Sequence, residues 1–72
     1  MKEGMKVFEG YSVTGKRIEA ILADEYTSDG KPMGHLYIRY TASGAVRRFN
    51  GEVYDEDTDF RSILAAAGYA KA

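Results

Sequence analysis

Apolar and polar side chains alternate most regularly in the segment HLYIRYT, residues 35–41. Leu36, Ile38 and Tyr40 would share one side of an extended chain, and the more polar residues between them would share the other side. This alternation predicts a β-strand with one buried face. After a glycine-containing turn the chain resumes as AVRRFN, which predicts a second strand paired antiparallel with the first.

The length of the turn between these two strands decides which residues face each other. A two-residue turn at residues 43–44 would place Ile38 opposite Phe49. The same register would place Arg39 directly opposite Arg48, which costs stability unless a carboxylate or a ligand anion lies between the two guanidinium groups. The acidic residues that follow in the chain are one source of that counter-charge.

Two earlier segments extend this hairpin into a sheet. The first, from Met5 to Val13, alternates well enough to predict an edge or outer strand. The second, KRIEAILADEYT at residues 16–27, fits either a helix or a strand. In a helix, its two leading basic residues and its two trailing acidic residues would oppose the helix dipole at both ends. The strand is therefore the favoured interpretation, and the Asp-Gly turn that follows also suits a hairpin.

The C-terminal part of the chain predicts one helix, over residues 58–67. Apolar residues at 60, 63, 64 and 67 follow the spacing of a helix with one buried face. Gly68 stands where a left-handed residue commonly ends a helix, and Tyr69 is placed to fold back on the last turn. Together these elements predict an α+β fold, a small antiparallel meander of three or four strands with one C-terminal helix packed on the sheet.

The chain is expected to form a single domain, residues 1–72, in which residues 1–4 are a candidate disordered extension because Met5 reads as a natural start. The predicted core takes apolar residues from every element: Val7, Ile18, Leu22, Leu36, Ile38, Phe49, Phe60, Ile63 and Leu64.

Composition narrows the class of protein. The 72 residues include no cysteine, which excludes disulfides and thiolate metal sites and favours a cytoplasmic location. No apolar run approaches the roughly 20 residues that span a membrane, so no membrane partner is expected. Ten basic and eleven acidic residues leave a net charge of −1, which argues against a protein whose main role is to neutralise phosphates.

The acidic stretch VYDEDTDFRSIL, residues 53–64, resembles the start of a calcium-binding loop. Asp55, Asp57 and Asp59 occupy alternate positions, as the first three ligands of an EF-hand loop do. Phe60 and Ala66 then stand where that loop requires a glycine and a bidentate glutamate. Helix initiation accounts better for the stretch, with Asp57 or Asp55 as the N-cap and the other carboxylates at the positive end of the helix dipole.

Two surfaces are candidates for binding a partner. The acidic one comprises Asp55, Glu56, Asp57 and Asp59, because helix initiation does not explain so many carboxylates. The other lies on the second face of the 35–50 hairpin and comprises Tyr37, Arg39, Arg47 and Arg48. Tyrosine and arginine are enriched at protein–protein hot spots, and they also stack bases and hold phosphates on open sheets. An ordinary solvated sheet face is the alternative to both.

Catalytic chemistry has no candidate residues in this sequence. His35 is the only histidine, and no serine or cysteine nucleophile is spaced with it in a recognisable set. The glycines form no G-x-G-x-x-G or P-loop string, so they are interpreted as turns. We therefore expect a non-enzymatic protein with no cofactor and no metal.

The tract from residue 34 to 68 resembles the small KTSC-type domains in its order of strand, turn, strand and short helix, although the Lys-Thr-Ser-Cys string is absent and no residue role follows. In size and lack of catalytic motifs the chain is also similar to small accessory proteins of phages and mobile elements, many of which inhibit host enzymes, including CRISPR effectors. The expected function is a protein-interaction module of that kind. A nucleic-acid-binding domain is the alternative, and exposed strand edges also favour a homodimer.

Overall fold

A computed structural model of the protein describes residues 4–26 and 28–72. Its elements are β1 Met5–Tyr11, β2 Arg17–Tyr26, β3 Pro32–Tyr40, β4 Val46–Asp55, α1 Phe60–Ala66 and β5 Ala70–Lys71. The strands form one antiparallel sheet in the order β4-β3-β2-β1-β5. The α+β class is confirmed, but the sheet has five strands instead of three or four. The additional strand, β5, follows the helix and is too short to produce an alternating pattern.

The ambiguous segment is a strand, as its charge order indicated. β2 pairs with β1 on one side and with β3 on the other. Ile18, Ala20 and Leu22 are buried on the face towards the helix, and Ile21 and Ala23 are buried on the opposite face. A central strand with both faces protected explains the apolar run that made this segment resemble a helix.

A bulge in β1 changes which of its residues reach the core. The register with β2 shifts between Lys6 and Phe8, so the alternation changes phase at Val7. Phe8 is therefore a core residue, whereas the predicted Val7 is only half-buried beside the core. The strand ends at Tyr11, and Val13 lies exposed in the following turn, which corrects the predicted extent of this strand.

The turn between β3 and β4 is longer than predicted. Residues 41–44 form it, and the N–H of Tyr40 donates to the carbonyl of Ala45 at 2.8 Å. Arg39 therefore lies opposite Val46, and the predicted pairing of Arg39 with Arg48 is wrong.

The same change pairs Ile38 with Arg47 instead of Phe49. The register differs from the predicted one by two residues, so Tyr37, Arg39 and Arg48 keep their predicted face. Tyr37 now lies directly opposite Arg48 of β4.

The helix begins later than predicted, because its N-cap is Asp59 and not Asp57 or Asp55. Gly68 has a φ of 95°, and the N–H of Tyr69 donates to the carbonyl of Leu64 at 2.9 Å, as the predicted left-handed end requires. No helix in residues 4–26 and 28–72 is long and apolar enough to cross a membrane.

One hydrophobic core lies between α1 and the sheet. It consists of Phe8, Ile18, Ala20, Leu22, Leu36, Ile38, Phe60 and Leu64. Phe49, predicted to be buried, is partly exposed and packs edge-on against Tyr69, with ring centroids 6.1 Å apart. Ile63 is only half-buried, so the predicted core is correct except at its margins. Of the candidate extension, residues 1–3 lie outside the described part, and Gly4 packs against Ile21 and Ala23.

Candidate protein-binding face

The face of the sheet opposite α1, here called the outer face, carries three of the four residues predicted for the hairpin surface. Tyr37 and Arg48 form a cross-strand pair on it, and Arg39 and Val46 form the next pair. Val53 lies opposite His35, beyond the irregularity that separates it from Arg48 in β4. We call Tyr37, Arg39, Val46, Arg48 and Val53 the hairpin patch. No helix or loop in the described part of the chain is packed over it.

Arg47 does not belong to this patch. It pairs with Ile38, whose side chain points into the core, so Arg47 emerges on the face that bears the helix. There it lines a shallow cleft with Tyr40, Phe49 and Tyr69. Burial raises the pKa of the Tyr69 phenol, and the nearby charge of Arg47 acts in the opposite direction. The prediction that Arg47 joins the other two arginines is therefore wrong.

The outer face also contains a group of ion pairs that the sequence did not reveal. Glu9 and Glu19 lie directly opposite each other on β1 and β2. Lys6 reaches Glu19 at 3.3 Å and Glu9 at 3.5 Å, and Arg17 reaches Glu9 at 2.7 Å. Arg39 completes the group by donating twice to one oxygen of Glu19. We call these five residues the ion-pair ladder.

The contacts within the ion-pair ladder favour the ionised form of its two carboxyl groups. The hydrogen bond from Arg39 lowers the pKa of the Glu19 carboxyl, and the hydrogen bond from Arg17 lowers that of Glu9. The carboxylate that satisfies Arg39 therefore comes from the neighbouring strand β2, not from the acidic residues after β4. Alternation in β2 could have placed Glu19 on this face, but only once the segment was known to be a strand.

Arg48 differs from the other cations of the outer face. The structure shows no ion pair between Arg48 and any carboxylate of the described residues, whereas Lys6, Arg17 and Arg39 each have one. Val46 and Val53 beside it are 44% and 48% exposed, which is high for β-branched residues in a sheet. The hairpin patch thus combines an available positive charge with exposed apolar surface.

The four acidic candidates lie in what we call the acidic turn, residues 55–59. Oδ1 of Asp55 accepts from the N–H of Asp57 at 3.0 Å and from the Thr58 hydroxyl at 3.2 Å. Glu56 lies 3.6 Å from the ammonium group of Lys31. These contacts shape the turn itself.

Asp59 closes the acidic turn by capping α1. Its two carboxylate oxygens accept from the N–H of Ser62 at 3.2 Å and from the Ser62 hydroxyl at 2.7 Å. The hydroxyl bond and then the backbone bond lower the pKa of Asp59. Among the side chains that the structure describes, no three of His, Cys, Asp or Glu are grouped so that they could hold a metal ion.

The two candidate surfaces are separate. Arg48 is level with Tyr37 on β3, and Asp55 is level with Met33 four residues away, which is about 13 Å along a strand. The acidic turn therefore does not neutralise the hairpin patch. No known family model matches this chain, and no curated protein or solved structure matches it either.

Proposed function

We propose that this domain is a non-enzymatic protein-binding module and that the hairpin patch is its principal contact surface. One observation carries the proposal: Arg48 stands on an uncovered sheet face, beside Tyr37 and two exposed valines, without a carboxylate partner in the described residues. Tyrosine and arginine are among the residues enriched at binding hot spots.

The ion-pair ladder supports a protein partner over a nucleic acid. Three cations of the outer face already donate to Glu9 or Glu19, so their charge is largely compensated. Binding of a phosphate backbone needs several uncompensated cations, because affinity comes from counterion release. On the outer face Arg48 offers one such charge, which suits a single carboxylate on a protein better than a run of phosphates.

Nucleic-acid binding is the second candidate, because an aromatic ring beside arginines on an open sheet can stack a base. Titration of labelled single-stranded RNA and DNA at low and moderate salt separates the two functions. Binding that weakens steeply with salt and disappears in the double variant Arg39→Ala, Arg48→Ala would establish the nucleic-acid function and overturn the protein-binding proposal.

The acidic turn contributes less to this proposal than the sequence suggested. Asp55 and Asp59 accept hydrogen bonds within the turn and the helix, and Glu56 faces Lys31. Asp57 is exposed, and its carboxylate is the main one in the acidic turn for which the described contacts give no structural role. The turn is therefore proposed as a secondary contact at most.

The protein partner that we propose is a host enzyme, such as a CRISPR effector, which this domain would inhibit. The small size of the chain and its lack of catalytic motifs favour this form of protein binding. A direct test adds the purified domain to a cleavage reaction of such an effector. Inhibition by the wild type, lost in Arg48→Glu and retained in Arg61→Glu on the helix, would support this form. Equal inhibition by both variants would assign the effect to another surface.

A further inference from the structure

β4 leaves one side of its backbone without a partner strand. It is the first strand of the sheet order and pairs only with β3 in the described part of the chain. An edge strand presents a row of free N–H and C=O groups, which is a template for pairing with another chain. The exposed valines Val46 and Val53 lie along this edge on the outer face.

An irregular segment divides β4 symmetrically. Residues 46–48 pair with β3, residues 49–52 interrupt the register, and residues 53–55 pair again. The strand therefore has three paired residues, four irregular residues and three paired residues. A regular strand from another protein could follow only one of the two paired segments before meeting the interruption.

A second copy of the same strand does not have this difficulty. In an antiparallel arrangement with a two-fold axis between Asn50 and Gly51, residues 46–48 of each copy meet residues 53–55 of the other. The irregular segments then meet only each other. Each pair then joins two residues of the same face of the sheet. Arg48 and Val53, for example, both lie on the outer face.

The charges of β4 also complement an inverted copy of the same strand. The strand begins with Arg47 and Arg48 and ends with Asp55, followed by further acids in the turn. In the two-fold arrangement, Arg48 lies opposite Val53 of the second copy and diagonal to its Asp55, within reach of an arginine side chain. The local bonds of Asp55 both end on Oδ1, which leaves Oδ2 for that contact.

We propose that β4 docks a second copy of this chain by antiparallel pairing about an axis between Asn50 and Gly51. The dimer has one continuous sheet of ten strands, with both helices on one face and both hairpin patches on the other. It contributes a counter-charge to Arg48, which has no carboxylate partner among the described residues of one chain, and it covers Val46 and Val53. The proposal concerns the purified protein alone and does not depend on a heterologous partner.

Sedimentation equilibrium over a concentration series tests the proposal with two variants that should each weaken the dimer. Arg48→Glu sets like charges diagonal to each other at Asp55. Val53→Lys sets an ammonium group opposite Arg48. Each change occurs twice in a symmetric dimer, so we expect the dissociation constant to rise about tenfold or more. Val13→Lys, at an exposed valine in the turn after β1, is the matched control and should leave it unchanged.

Mixing the two variants provides the decisive measurement. The glutamate introduced at position 48 of one copy faces the lysine introduced at position 53 of the other, so the mixture should dimerise more tightly than either variant alone. Circular dichroism of each variant checks that the fold is retained. A wild type that stays monomeric at millimolar concentration, or a dimer that both variants leave unchanged, would overturn the proposal without affecting the proposed protein-binding function.

Discussion

Arg39 of β3 and Glu19 of β2 lie directly opposite each other on the outer face, and two nitrogens of the Arg39 guanidinium donate to the same oxygen of Glu19. The other oxygen of Glu19 accepts from Lys6 of β1 at 3.3 Å. One carboxylate therefore connects three neighbouring strands on a face that no helix covers. Because its side chain is only 16% exposed, this carboxylate is better shielded from water than an ordinary surface ion pair.

Replacing Glu19 with glutamine should destabilise the sheet. The substitution keeps the shape of the side chain and removes the charge that both Arg39 and Lys6 contact, so we expect the free energy of unfolding to fall by about 1 kcal/mol. Urea denaturation measures this loss. Glu52→Gln, at an exposed position of β4, is the control and should change stability much less; equal losses would show that the contact with Arg39 contributes little.

The same contacts should make stability depend on acid pH. The pKa values of Glu9, Glu19 and Asp59 are lowered in the folded protein, chiefly by hydrogen bonds from Arg17, Arg39 and Ser62 respectively. The unfolded chain therefore binds protons more readily, and the stabilisation is present above the ordinary carboxyl pKa of about 4 and is lost as the pH falls further.

Urea midpoints between pH 3 and pH 7 measure this effect. Glu19→Gln should show a weaker dependence on pH in the acid range than the wild type, because one of the titrating groups has been removed. Identical pH profiles for the two proteins would contradict the assignment of Glu19 as a stabilising anion.

The helix cap provides a prediction that separates two neighbouring aspartates. Asp59→Ala removes both hydrogen bonds to Ser62 and should lower the melting temperature by several degrees. Asp57→Ala removes an exposed carboxylate outside the helix and should leave the melting temperature nearly unchanged. Thermal unfolding followed by circular dichroism makes the comparison, and a larger effect at Asp57 would restore the cap that the sequence alone predicted.

The alternation of apolar and polar residues was sufficient to predict the two strands of the 35–50 hairpin and the faces of their main side chains. It placed Tyr37, Arg39 and Arg48 on one surface, and the charge order of residues 16–27 correctly favoured a strand. The face of a side chain depends only on odd and even spacing, which a change of two residues in register preserves. The helix, and with it the α+β class, was predictable from the i, i+3, i+4 spacing of Phe60, Ile63 and Leu64.

Features that depend on the number of residues in a turn or bulge were not predictable in this way. Because the turn comprises residues 41–44, Arg39 does not lie opposite Arg48. Because β1 has a bulge near Val7, Phe8 occupies the core in place of Val7. Neither the longer turn nor the bulge alters the pattern of apolar residues enough to be predicted from a single sequence. Arg47 was misplaced because adjacent residues of a strand point to opposite faces.

Close packing at Gly10 gives a prediction about the C-terminal strand. A Cβ atom at Gly10 would lie 2.0 Å from the carbonyl oxygen of Ala70 in β5, so Gly10→Ala should displace β5 from β1. Amide hydrogen exchange should become faster at Ala72, whose N–H donates to the carbonyl of Glu9 at 3.0 Å. Gly51→Ala has no atom within 4 Å of the added Cβ and is the control. Unchanged exchange in Gly10→Ala would mean that β5 does not pack against β1 as described.

The most direct test of the protein-binding proposal places a photo-reactive side chain at Tyr37 on the hairpin patch and, separately, at Arg61 on the exposed side of α1. Each protein is crosslinked in an extract of the native host. The proposal predicts an adduct of defined mass between position 37 and a protein other than this chain, which is absent from position 61 and is abolished by Arg48→Glu. An adduct from position 61 alone, or an adduct of position 37 with nucleic acid alone, would contradict it.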